Sequence, residues 1–190
     1  MKVAIIRHGS THWNKERRAQ GKSDIPLDAD GRIDAEKLAG RLHSEKWDVL
    51  YSSPLHRAKQ TAEIIATSVG LEIRYDERLQ EADGGQIEGT TEDERIEKWG
   101  ENWRSLELGM EKPDSLIKRS LEFIEDMITR DQGKNIIIVS HGAWISHLLR
   151  ELDPENVTEE HMKNTSVSEL FLRQGKWQCD LFNCTLHLDK

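Results

Sequence analysis

Residues 2–9 read KVAIIRHG: four apolar residues, Val3 to Ile6, run without a spacer into Arg7, His8 and Gly9. A short continuous apolar run of this kind reads as a strand buried on both faces, the strand type of a parallel sheet covered by helices. In an open parallel α/β sheet, ligands bind in the crevice outside the carboxyl ends of the strands. A cation and an imidazole at that end are expected to point into a site, not into the core.

The pattern returns at residues 135–142, NIIIVSHG, where His141 and Gly142 follow the strongest apolar run of the chain. Two further strands are expected at 48–52 (DVLYS) and 71–75 (LEIRY). Helical periodicity fills the intervals. From Arg32 to Lys46 the apolar stripe is Ile33, Leu38, Ala39 and Leu42. The next helix is expected after Ser53 as N-cap, with Pro54 at its first position and Gly70 as its stop. Its apolar face runs Leu55, Ala58, Ala62, Ile65 and Val69. Two more helices are expected at about 92–103, carrying Trp99 and Trp103, and at 114–130, with Ile117, Leu121, Ile124 and Ile128 on one face. After residue 164 the pattern turns to strands, with Gln174-Gly175 as a hairpin turn. The expected fold is a single-domain three-layer α/β sandwich over residues 1–190. Its sheet is mostly parallel, flanked by helices, with an antiparallel C-terminal strand.

Composition narrows the function. The 190 residues carry 27 Lys and Arg against 35 Asp and Glu, a formal net charge of −8. That balance argues against a nucleic-acid partner or an anionic membrane surface, either of which needs a basic face. The mean hydropathy of −0.71 fits a soluble chain, with neither a secretory segment nor a membrane span expected. Cys179 and Cys184 lack C-x-x-C spacing and read as reduced thiols of a cytoplasmic protein.

If the strands at 2–6 and 135–140 are neighbours, His8 and His141 face each other across one crevice. The glycine after each histidine permits a sharp turn and close backbone approach to a ligand. A helix beginning near Ala143 would aim its N-terminal amides into the same space, favouring an anion. Arg57, in the first turn after the 48–52 strand, belongs to the same edge. Two arginines with forked donors and two histidines suit phosphate. No third ligand at metal spacing accompanies the histidines, and the arginines would repel a divalent cation, so neither metal nor cofactor is expected.

Arg7-His8-Gly9-Ser10-Thr11, followed by Trp13-Asn14, resembles the R-H-G signature of the histidine phosphatase superfamily, the phosphoglycerate-mutase-like proteins. The resemblance extends through QGKSDIPLDADGR (20–32), SSPLHRAKQTAEII (52–65), RLQEADGGQIEG (78–89), SHG (140–142) and NCTLHL (183–188). Ser10 departs from the family's commoner glutamate, and Asp114-Ser115 from a frequent G-E-S; neither position performs the chemistry.

The resemblance implies that His8 is the nucleophile, passing through a phosphohistidine, and that it must be neutral to attack, with its other ring nitrogen held by a hydrogen bond. Arg7, Arg57 and a protonated His141 would bind the phosphoryl oxygens, with Asn14 as an uncharged donor and Gln20, Gly21 and Gly142 lining the phosphate and substrate site. Glu81 would be the general acid and then the base; from the residues alone Asp83, Glu88 and Glu92 compete for that role. His12 and Trp13 are candidates for the pocket mouth, and His187 reads as structural.

The implied activity is hydrolysis of a small phosphorylated metabolite. The alternatives are a 2,3-bisphosphoglycerate-dependent phosphoglycerate mutase and a phosphate-binding scaffold without turnover. A mutase needs a lid to keep water from the intermediate, and SLELGMEKP (105–113), between the helices expected at 92–103 and 114–130, is too short for one.

Overall fold

In the computed structural model, which describes residues 1–189, strand β1 (Lys2–Arg7) lies beside β4 (Asn135–Ser140) in parallel. Their register pairs Lys2 with Asn135 and Arg7 with Ser140. The two apolar runs thus end on one rung, and His8 and His141 leave the sheet side by side. Strand β2 (Val49–Ser52) lies parallel to β4 on the other side, followed by β3 (Ile73–Tyr75) at the edge. Beyond β1 come β5 (Val167–Arg173), antiparallel to it, and β6 (Lys176–Cys184), antiparallel to β5. The sheet order is β3-β2-β4-β1-β5-β6. Gln174 and Gly175 form the β5–β6 turn with φ of 50° and 78°, the left-handed pair that a two-residue hairpin requires.

Alternation along the strands divides the core in two. Val3, Ile5, Ile136 and Ile138 pack toward helices α5 (Pro113–Arg130) and α6 (Gly142–Leu152). Ala4, Ile6, Ile137 and Val139 pack toward α2 (Ala29–His43) and α3 (His56–Val69). The three-layer expectation holds, with an antiparallel pair of C-terminal strands.

Several boundaries differ from the sequence reading. Helix α2 starts at Ala29, because the Asp28 side chain accepts from Gly31 N at 2.7 Å and caps it. Ile33, expected on its apolar stripe, is 51% exposed. Helix α3 starts at His56: Ser53 and Pro54 precede it, and the Ser53 hydroxyl accepts from Leu55 N while pairing with His141. The 92–103 helix is two elements. Helix α4 (Glu92–Trp99) stops at Gly100, whose φ is 82°, and Trp103 opens a separate turn at Trp103–Ser105. On α5 the buried face is Leu116, Ser120, Phe123, Ile124 and Met127, rotated from the expected stripe and shared with it only at Ile124. No helix of the described residues is long and apolar enough to cross a membrane.

Candidate active site

The floor of the site is built where β1 and β4 end. His8 N donates to Ser140 O at 3.0 Å, and the His8 carbonyl accepts from Thr165 N and the Asn164 side chain. Gly9 N donates to Thr61 Oγ1 at 3.0 Å. Glycine is required at position 9: a Cβ there would lie 2.5 Å from the Gly31 carbonyl. The ring of His8 is therefore held from both sides. Its Nδ1 lies 2.7 Å from its neighbour's carbonyl, Gly9 O, and its Nε2 lies 3.3 Å from Arg57 Nε. A carbonyl only accepts and a guanidinium only donates, so Nδ1 carries the proton and Nε2 keeps its lone pair. Burial, with the charges of Arg57 and Arg7, holds the His8 pKa well below the ordinary histidine value. The nitrogen expected to be fixed is fixed, and the ring is neutral.

His141 lies next to it, ring centroids 5.2 Å apart and planes tilted by 56°. It is completely buried, and its Nε2 is 2.7 Å from Ser53 Oγ. Burial, followed by the Arg57 charge, pushes its pKa well below the ordinary histidine value. Its Nδ1 is buried without a hydrogen-bond partner, as is Nε of Arg7. Buried polar groups are nearly always satisfied, so two such orphans beside His8 mark a place built for a polar ligand.

The arginines are anchored by carbonyls. Arg57 donates to Gly21 O at 2.7 Å and Ser23 O at 2.8 Å. Arg7 donates to Met162 O and lies 3.3 Å from His161 Nε2. Burial pushes both guanidinium pKa values down to about 10, opposed by the charge of Glu81. Both remain cations at neutral pH.

Glu81 accepts from Ala143 N and Trp144 N at 3.1 Å and from Ala82 N at 3.0 Å. Its carboxylate thus caps α6, and those two amides, expected to face an anion directly, are already occupied. Behind it, Arg119 of α5 donates to the carbonyls of Arg78, Gln80 and Glu81, and Trp144 Nε1 to that of Arg78. The competing carboxylates serve the loops. Asp83 accepts from Gly85 N, Glu88 from Lys22 N, Ser23 Oγ and Gly84 N, and Glu92 from Trp103 Nε1 and Arg104.

A cavity of about 560 Å³ opens above this floor, lined by Arg7, His8, Asn14, Gln20, Gly21, Arg57 and Glu81. That size suits a small metabolite. Asn14 Oδ1 accepts from Thr11 N at 3.1 Å and Asn164 Nδ2 at 3.3 Å, so its amide nitrogen is left as a donor. Gly142 lines an adjoining cavity instead, shared through Arg7 and Glu81, and a Cβ there would reach 3.4 Å from Arg7 Nε. His12 and Trp13 do not line the cavity, and Trp13 packs over Gly89. Arg17, Arg18, Arg95 and His161 do line it and escape the sequence reading. They lie in highly charged stretches, where one more ionic side chain carries no pattern. His187 pairs with Thr165 Oγ1 at 3.3 Å, away from the cavity.

A family model described as "Histidine phosphatase superfamily (branch 1)" matches residues 3–185. A Bacillus subtilis (strain 168) protein named "Uncharacterized phosphatase PhoE" is 34% identical over 189 residues, 98% of this chain and 96% of the relative. An Arabidopsis thaliana "Phosphoglycerate mutase-like protein 4" is 32% identical, covering 99% of this chain and 87% of its own. Among solved structures, an Entamoeba histolytica phosphoserine phosphatase in complex with 3-phosphoglyceric acid superposes with a TM-score of 0.82. It is 33% identical, with 98% of each chain covered.

Proposed function

Since this chain belongs to the histidine phosphatase superfamily, we propose that it is a metal-independent phosphomonoesterase, acting on a small phosphorylated metabolite through a phosphohistidine on His8. The observation that carries this reading is the state of His8: neutral, Nδ1–H on Gly9 O, and the Nε2 lone pair beside a buried arginine in a cavity of metabolite size. Relatives named for phosphatase activity support it.

Nε2 attacks phosphorus, forming the N–P bond as the P–O bond to the alcohol breaks. Arg7, Arg57 and Asn14 meet the phosphoryl oxygens and stabilise the charge that spreads over them. The orphan Nδ1 of His141 and Nε of Arg7 find their partners there. A phosphoryl dianion between the two rings favours protonation of His141, reversing the effect of the arginines. Glu81, in its acid form, gives the leaving oxygen its proton. Its carboxylate then takes a proton from water as the water oxygen attacks phosphorus and the N–P bond breaks, returning His8 to neutrality.

Hydrolysis is favoured over isomerisation by the path of residues 106–111. Leu108 O accepts from Gln86 N at 2.8 Å and Glu111 N donates to Asp83 O at 2.8 Å, so the segment is tied along the acid loop and does not cover the cavity. Water therefore has access to the intermediate.

The test is hydrolysis of p-nitrophenyl phosphate in excess EDTA, with His8→Ala as control. Turnover well above that control is expected; none would leave a phosphate-binding domain. Supplying 3-phosphoglycerate with catalytic 2,3-bisphosphoglycerate separates the mutase, which would form 2-phosphoglycerate faster than it frees phosphate.

A further inference from the structure

Five arginines line the substrate cavity, in a chain of net charge −8. Four of them are anchored by acceptors of the protein. Arg7 and Arg57 hold the carbonyls described above. Arg18 donates to Glu16, Glu94 and Gly89 O. Arg95 donates to Thr90 O and Glu92 and stacks on Trp103, its guanidinium carbon 4.9 Å from the ring centroid. Arg17 is the exception: among the described residues, its guanidinium has no hydrogen-bond or ion-pair partner.

Its backbone position makes the exception informative. Helix α1 (His12–Lys15) ends at Glu16, and the chain turns through Arg17 with φ of 57°. Arg17 N donates to Asn14 O at 3.1 Å and Arg18 N to Trp13 O at 2.9 Å. This is the paired C-terminal closure in which the residue after the cap adopts the left-handed conformation, a place ordinarily held by glycine or asparagine. The chain instead carries a long cation there, against its backbone preference, and exposes it at the cavity mouth.

The floor already satisfies a phosphoryl group, and a phosphoryl group alone does not fill 560 Å³. The unneutralised guanidinium of Arg17 lines the same cavity. We propose that Arg17 is a specificity-determining residue that binds a carboxylate on the alcohol portion of the phosphate ester. The preferred substrates would then be phosphorylated small carboxylic acids. The proposal rests on the phosphatase reading above and adds to it the charge of the leaving group.

The test uses two esters of one carbon skeleton, 3-phosphoglycerate and glycerol 3-phosphate, which differ in a carboxylate against a hydroxymethyl group. Phosphate release gives kcat/KM for each with the wild type, Arg17→Asn and Arg17→Lys. Asparagine tolerates the left-handed turn and removes only the charge. The wild type is expected to favour the acid by about tenfold or more, the size of one charge-assisted hydrogen bond. Arg17→Asn should bring the two esters near parity, mainly through KM for the acid, with Arg17→Lys intermediate. A wild type without preference, or an Arg17→Asn variant that keeps the preference or loses equally on both esters, would overturn the assignment. If the wild type fails to turn over p-nitrophenyl phosphate, the phosphatase reading falls separately. The same comparison is then made from calorimetric dissociation constants of the two esters, where the same preference and its loss in Arg17→Asn support the site and their absence overturns it.

Discussion

Arg57 donates its Nε–H to Nε2 of His8 across 3.3 Å while Gly21 O and Ser23 O hold its other nitrogens. In the mechanism proposed above, the same guanidinium marks the attacking nitrogen and stands where negative charge develops. Lysine cannot reproduce three directed bonds from a planar fork. Arg57→Lys should lower kcat/KM for p-nitrophenyl phosphate by about 10²–10³-fold, the usual loss for a transition-state donor. Steady-state kinetics checks this, and a loss below about tenfold would remove Arg57 from the charge-stabilising role.

The covalent intermediate is expected on His8. Brief reaction with labelled substrate, quenched in base, should leave acid-labile phosphate on the peptide containing residues 8–15. Label on the His141 peptide instead would reverse the roles of the two rings.

Glu81→Gln separates acid catalysis from structure. Alkyl phosphates, whose leaving oxygen needs a proton, should slow far more than p-nitrophenyl phosphate, which leaves unaided. The same change turns an amide N–H₂ toward the α6 amides that the carboxylate now caps, so stability should fall by about 1 kcal/mol. Equal kinetic losses on both esters would place the acid elsewhere.

Acid should weaken the fold through the buried ring pair. Both His8 and His141 are held below the ordinary value near 6.5 in the folded chain. The unfolded chain therefore binds more protons, and the stability present above about pH 6.5 declines as pH falls through it, at up to about 1.4 kcal/mol per pH unit for each ring. Urea unfolding between about pH 7.5 and 5 should show this slope, with roughly half of it lost in His141→Gln. A flat profile over that window would contradict the neutral, buried assignment.

Gly31→Ala should disturb the site from outside it. A Cβ at Gly31 would lie 2.2 Å from Ser10 O and 2.7 Å from Ser10 N, so helix α2 or the loop after His8 must move. The expected cost is about 1–3 kcal/mol, read as a lower Tm together with reduced kcat. An unchanged Tm would show that the loop yields freely.

The sequence makes the floor legible for a simple reason. Continuous apolar runs such as 3–6 and 136–139 leave few structural choices, and an ionic residue directly after such a run must lie at a strand end. What depends on tertiary packing stays hidden. The Ser53 hydroxyl, read as a helix cap, also pairs with His141, a partner 88 residues away. The lowered pKa of His141 follows from complete burial among arginines, which no local pattern encodes. Arg119, which positions the Glu81 loop, is one charge among many on a solvated helix until α5 is packed.

The rung that pairs Arg7 with Ser140 assigns the two histidines and the mouth of the cavity to different parts of the molecule. The histidines are fixed by sheet register, and a slip of one residue between β1 and β4 would separate them. The mouth is carried by the turn at residues 16–21, by α4 and by the segment ending at Met162, none of which belongs to the sheet. Their side chains can be exchanged while the two histidines stay in place, provided the Gly21 and Met162 carbonyls still hold Arg57 and Arg7. For an engineer, this scaffold is a fixed chuck with adjustable jaws: new selectivity is to be sought in the side chains at the mouth, leaving the strands and those two carbonyls in place.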